Sequence, residues 1–207
     1  MTNKLHLGWS LLMLALVSIY SANLYAQRNS SIADSYTLEA QGNYNGAVNI
    51  MLRLEKAAPQ EPFFQLRLGW LFFQQADYVK AEEYYRRSLL LKPSLEAREG
   101  LMNSQYYQGQ WLKTIHTGKQ ILELSSKHFS ALTSVAYSYY ALGDFLNAAA
   151  YYQRVTDIYP FNLEVMGYLL SSYHQSNQRE KAAEIYRRLS IYSPENPFIK
   201  EYQAEYR

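Results

Sequence analysis

The sequence predicts an all-α solenoid of five helix-turn-helix hairpins closed by a C-terminal capping helix, and three observations predict it. Prolines recur at Pro59, Pro93, Pro160 and Pro194, separated by 34, 67 and 34 residues, which is a 34-residue period with one stop missing near Ser126. A turn motif recurs in register with them: Gly42-Asn43-Tyr44-Asn45-Gly46-Ala47, Ala76-Asp77-Tyr78-Val79-Lys80-Ala81, Gly109-Gln110-Trp111-Leu112-Lys113-Thr114, Gly143-Asp144-Phe145-Leu146-Asn147-Ala148 and Asn177-Gln178-Arg179-Glu180-Lys181-Ala182. On both sides of each motif, apolar residues repeat at spacings of three and four, one stripe per helix.

The chain begins with a leader. Lys4 is the only formally charged residue before Arg28, and Trp9 to Ile19 form a short apolar run that gives way to a polar stretch ending Tyr25-Ala26-Gln27. A positive start, an apolar core and a small residue before a polar one predict a signal peptide over residues 1–26, cut after Ala26, with Ala22 as a second candidate. The uncharged span of residues 5–27 also reaches the ~20 residues that cross a bilayer, so a membrane anchor facing out of the cytoplasm is the alternative. Either way the remainder leaves the cytoplasm, as an exported, periplasmic or secreted chain.

The repeats fill residues 27–196 as units 28–61, 62–94, 95–128, 129–162 and 163–196. The second and fourth are the most regular, the second at Leu68-Gly69, Phe72, Tyr78, Ala81, Tyr85 and Pro93 and the fourth at Ala136, Tyr139, Gly143, Phe145, Ala148, Tyr152 and Pro160. The third departs, with Met102 and Thr114 at small-residue positions and Gly118 inside its second helix. Tolerated degeneracy or a hinge at Gly118 would each account for that glycine. A solenoid end exposes an apolar face, and Phe198, Tyr202 and Tyr206 at spacing four predict a capping helix over residues 197–207.

A 34-residue helical hairpin with small residues at the crossing, an aromatic turn and a terminal proline resembles the tetratricopeptide repeat family. That resemblance implies a right-handed superhelix whose first helices line a concave face. Projected one residue past each packing position, it places Phe63, Trp70, Phe73, Asn103, Tyr106, Tyr107, Tyr137, Tyr140, Ser171 and His174 along one groove. Amphipathic rings in a row suit an extended or helical peptide and also stack on sugars, while packing only against each other is the structural alternative. Some members of the family grip a terminal carboxylate with cations along this groove. Here Asn103 fits such a clamp, but Glu96 and Glu99 stand where cations are wanted and Arg67 is the one groove cation. A neutral or mildly basic, aromatic-containing ligand is the better match.

Composition excludes other classes. Without cysteine there is no disulfide framework, thiolate zinc site or cysteine nucleophile. The 20 basic residues are interspersed with 18 acidic ones for a net +2, so no basic surface marks a nucleic-acid partner. His116, His128 and His174 have no ligand-spaced partner, and no phosphate loop, His-Glu-x-x-His or nucleophile elbow occurs. Glu82-Glu83 ahead of Arg86-Arg87 read as ion pairs on a solvated helix. The expectation is a scaffold without catalytic residues, metal or cofactor, binding a protein or peptide of the cell envelope and touching membrane only through an uncleaved leader. The alternative is a carbohydrate-associated module in polysaccharide export or cell-wall assembly.

Overall fold

The computed structural model describes residues 32–206; the leader and the cleavage position Ala26 lie outside them. Eleven helices follow in order: α1 (residues 32–40), α2 (Tyr44–Ala57), α3 (Pro62–Gln74), α4 (Tyr78–Leu91), α5 (Leu95–Tyr107), α6 (Trp111–Leu124), α7 (Phe129–Ala141), α8 (Phe145–Ile158), α9 (Leu163–Gln175), α10 (Arg179–Tyr192) and α11 (Pro197–Tyr206). None among the described residues is long and apolar enough to cross a membrane.

The turn motif works through two adjacent residues. Its first residue takes a left-handed conformation in all five hairpins, at φ +73° for Gly42, +58° for Ala76, +68° for Gly109, +77° for Gly143 and +59° for Asn177. This sends the next N–H back five residues to close the preceding helix, as Asn43 does to Leu38 O (2.8 Å), Asp77 to Phe72 O (3.0 Å) and Asp144 to Tyr139 O (2.9 Å). The same Asn43, Asp77 and Asp144 side chains then accept from the backbone N–H of Gly46, Lys80 and Asn147 to start the following helix. In these three hairpins one residue ends one helix and caps the next, while Gln110 and Gln178 in the same place make the return backbone bond without a side-chain cap.

Between hairpins, Pro59, Pro93, Pro160 and Pro194 follow the last capped residue of α2, α4, α8 and α10. The proline missing near Ser126 does not lengthen α6, which ends at Leu124. His128 compensates by capping α7: its Nδ1 accepts from Ala131 N–H at 3.3 Å, while Nε2 lies 3.5 Å from Glu99.

From α2 onward each helix packs on its sequence neighbours, and first helices also meet one another, α3 with α5, α5 with α7 and α9 with α11. They therefore share one face of the solenoid. Close approach explains the helical glycines. A Cβ on Gly118 would sit 2.4 Å from Val135 Cγ2, and α6 runs through it without a break, so the residue serves packing and not a hinge. Tyr85 is held the same way between Gly69 and Gly100.

The apolar core forms two clusters, one from Ala47 to Leu101 and one from Met102 to Tyr202. A polar seam of Glu82, Gln105, Gln108 and Thr117 lies where they divide. Arg87 and Glu83 pair on an exposed helix face as the spacing suggests. Glu82 corrects that reading: it is buried and accepts from Arg86 at 2.8 Å and Gln108 at 2.9 Å, bridging into the third unit. Burial raises its carboxyl pKa, but the hydrogen bonds from Arg86 and Gln108 and the Arg86 charge outweigh burial and hold it below the ordinary value.

Candidate functional site: an aromatic groove on the inner face

The first helices enclose two connected cavities. The first, of about 510 Å³, has Phe63, Trp70 and Phe73 of α3 on one wall, Glu96, Glu99 and Asn103 of α5 on the other, Tyr36 of α1 at its end and Tyr85 in its floor. The second, of about 480 Å³, lies among Tyr106 and Tyr107 of α5, Tyr137 of α7 and Tyr168 of α9. Phe73 and Asn103 line both, which makes them one groove.

The rings touch in a continuous chain. Trp70 stacks on Phe73 at 6.5 Å between centroids, Phe73 meets Tyr107 edge-on at 5.5 Å, Tyr106 contacts both Tyr107 and Tyr137 at 5.5 Å, and Tyr137 meets Tyr168 at 5.9 Å. Mutual packing is therefore part of their role. It does not cover them all: Trp70 is 41% exposed and Tyr107 59%, so both present free ring surface at the mouth. Burial pushes the Tyr106 hydroxyl up to about 12, with neighbouring tyrosine hydroxyls adding to it, and pushes Tyr85 and Tyr152 higher still. The Tyr85, Tyr106 and Tyr152 hydroxyls are therefore neutral at physiological pH.

Trp70 and Arg67 are fixed from α1. Trp70 Nε1 donates to Glu39 at 2.6 Å, Arg67 forms an ion pair with the same carboxylate, and the Arg67 guanidinium lies 3.9 Å from the Tyr36 ring centroid. Burial raises the Glu39 pKa, but the hydrogen bonds from Arg67 and Trp70 and the guanidinium charge leave it lowered overall.

Seven of the ten projected residues, Phe63, Trp70, Phe73, Asn103, Tyr106, Tyr107 and Tyr137, line the two cavities. The other three are placed differently. Tyr140 donates to or accepts from Ser171 at 2.9 Å, and Ser171 bonds Tyr202 of α11 at 3.0 Å. Ser171 is only 1% exposed, and His174 lies against Tyr202 at 4.5 Å between ring centroids with its Nδ1 2.9 Å from the Tyr206 hydroxyl. The reason is that α11 packs on α9 where a sixth unit's first helix would lie, and small Ser171 leaves room for Tyr202 above it. The capping helix closes this end of the groove.

Sequence projection missed Glu39, Tyr36, Leu66, Phe129, Thr133, Glu164 and Tyr168. Several were within reach. Counting along α3, α5, α7 and α9, the projected residues occupy positions 2, 9 and 12, with Tyr107 at 13, whereas the intervening positions 5 and 6 supply Leu66, Thr133 and Tyr168 beside the Glu99 already noted. Glu39 and Tyr36 belong to α1, where no period singles them out. Among the described residues no group of three His, Asp or Glu side chains is placed to hold a metal ion.

An all-helical repeat whose first helices line an elongated aromatic groove is an interaction solenoid by architecture. The family model for the tetratricopeptide repeat matches residues 35–96, 103–162 and 134–198, and the chain belongs to the tetratricopeptide repeat family. Among solved structures it is similar to MamA AMB-1, at 16% identity over 82% of this chain and 93% of that one with a TM-score of 0.73. It is also similar to YrrB, described as a TPR protein with an unusual peptide-binding site, at 14% identity over 84% and 90% with a TM-score of 0.74. MamA from Desulfovibrio magneticus RS-1 matches at 13% identity over 82% and 97%, again with a TM-score of 0.74. At such identities the likeness is one of fold, the right-handed superhelix of hairpins. No curated protein sequence matches the chain.

Proposed function

We propose that this protein is a non-enzymatic scaffold that holds a segment of a partner protein in the concave groove, and that the partner belongs to the cell envelope. The observation that carries the reading is the continuous groove between α3 and α9, with free ring surface on Trp70 in its first cavity and on Tyr107 in its second. Large rigid rings give contact area at low entropy cost, which is how peptide-binding surfaces concentrate their energy. The envelope part of the reading is supported by the leader pattern of residues 1–26.

A photo-crosslinking amino acid at position 107 tests the groove, with one at Leu112, exposed on the second helix α6, as the outer-face control. Crosslinks to one recurrent protein segment from position 107 and none from 112 are expected. Crosslinks from 112 alone would move the site to the outer face. The intact mass after fractionation tests export: loss of residues 1–26 from a soluble product is expected, whereas a full-length chain recovered with cytoplasmic proteins would contradict it.

A further inference from the structure

Charge along the groove is one-sided. Among the described residues lining the two cavities, Arg67 is the one Lys or Arg, and it is already paired with Glu39 beneath the Tyr36 ring. Against it stand Glu96 and Glu99 in the first cavity and Glu164 in the second. Glu96 is exposed and forms no ion pair with a described residue, and the one basic group within 4 Å of the Glu99 carboxylate among the described residues is the His128 imidazole, at 3.5 Å. The groove is thus acidic on a chain whose overall charge is +2.

In the first cavity the two carboxylates share the space with aromatic rings. Phe63, Trp70 and Phe73 form the wall across from Glu96 and Glu99. Ring faces attract cations and carboxylates accept their N–H groups, so the two walls together fit a planar, delocalised cation. A segment ending in a carboxylate, or one bearing a phosphate, would meet like charge there.

We infer that the first cavity is an anchor pocket for a basic side chain of the bound segment, arginine in preference to lysine. Arginine is favoured because its planar guanidinium stacks on rings while offering paired N–H donors to a carboxylate, whereas an ammonium is a compact, strongly hydrated point charge. This inference rests on the groove reading and names the chemistry of its occupant.

The test uses the full-length chain and three small probes, N-acetylarginine amide, its neutral isostere N-acetylcitrulline amide and N-acetylglutamate amide, read at the Trp70 indole N–H by NMR. The arginine probe should shift Trp70 saturably and bind at least about tenfold more tightly than the citrulline probe, as loss of one charge-assisted contact implies. In the Glu96→Gln, Glu99→Gln double variant that preference should fall below about threefold, while Glu164→Gln in the second cavity should leave it unchanged. Equal binding of the arginine and citrulline probes, tighter binding of the glutamate probe, survival of the preference without the two carboxylates, or no response to any probe would each overturn the anchor. Its failure is separable from failure of the groove reading, because crosslinking at position 107 reports occupancy of the groove whatever the occupant's charge.

Discussion

Gly100→Ala sets two opposing effects against each other inside α5. In a helix interior, alanine is favoured over glycine by about 1 kcal/mol, so an unobstructed site would gain that much. At Gly100, however, an added Cβ would lie 2.2 Å from Tyr85 Cζ and 2.3 Å from Cε1. Tyr85 is 3% exposed and has Gly69 behind it, where a Cβ would already be 2.8 Å from the ring, so it cannot retreat toward α3. Overpacking of this kind costs about 1–3 kcal/mol, and a ring hemmed in on both sides belongs at the upper end. The net expectation is a loss of about 2 kcal/mol, read as a lower urea midpoint at unchanged slope. A double-mutant cycle sharpens it: in a Tyr85→Ala background the obstruction is gone, and Gly100→Ala should instead gain about 1 kcal/mol. A stabilising effect in the parent chain, or the same loss in both backgrounds, would refute the claim that Tyr85 is clamped between two glycines.

Two further outcomes follow from the turns and from α1. Ala76 holds φ +58° where three of the other four turns use glycine, so Ala76→Gly should relieve left-handed strain of about 1–2 kcal/mol, partly offset by glycine's extra unfolded-state freedom, for a net gain of about 0.5–1 kcal/mol in chemical denaturation. The carboxyl of Glu39 is depressed, so the stability it contributes is present above the ordinary glutamate range near ~4.3 and is lost as pH falls through its lower folded value. Hydrogen exchange of the α1 amides should therefore accelerate below about pH 4 relative to the rest of the chain, and Glu39→Gln should remove that pH dependence.

The hairpins were legible in the sequence because their signals are local and repeated. Left-handed turn residues and their Asn or Asp caps are adjacent in the chain, a proline stop follows 17 residues after the turn residue, and each signal is seen several times in register. Even the absent proline near Ser126 leaves the period intact, since His128 starts α7 by itself. What the sequence concealed depends on neighbouring units. Gly118 reads as a weak point until Val135 is seen against it, and Glu82 reads as a solvated partner of Arg86 until Gln108 closes over it. The groove was legible over its middle, where equivalent positions on consecutive first helices carry Trp70, Asn103 and Tyr137. It was misjudged at the C-terminal end, where α11 covers Ser171 and His174, because the helix that caps the last hairpin also occupies the next place on the inner face. It was incomplete at the N-terminal end, where Glu39 and Tyr36 come from a helix outside the repeat's best register.

The central claim, that the inner face and not the outer one holds the partner, is tested most directly by affinity. The segment identified by crosslinking, made synthetically, would be titrated calorimetrically against Trp70→Ala, Tyr107→Ser and against Val79→Ser, Leu112→Ser, Leu146→Ser, a trio of exposed aliphatic side chains on the second helices α4, α6 and α8. With helicity preserved in both, the groove variant should bind about thirtyfold or more weakly, the loss of an aromatic hot spot worth at least ~2 kcal/mol, and the outer-face variant should bind within about twofold of the parent. Undiminished binding by the groove variant together with loss in the outer-face variant would contradict the account.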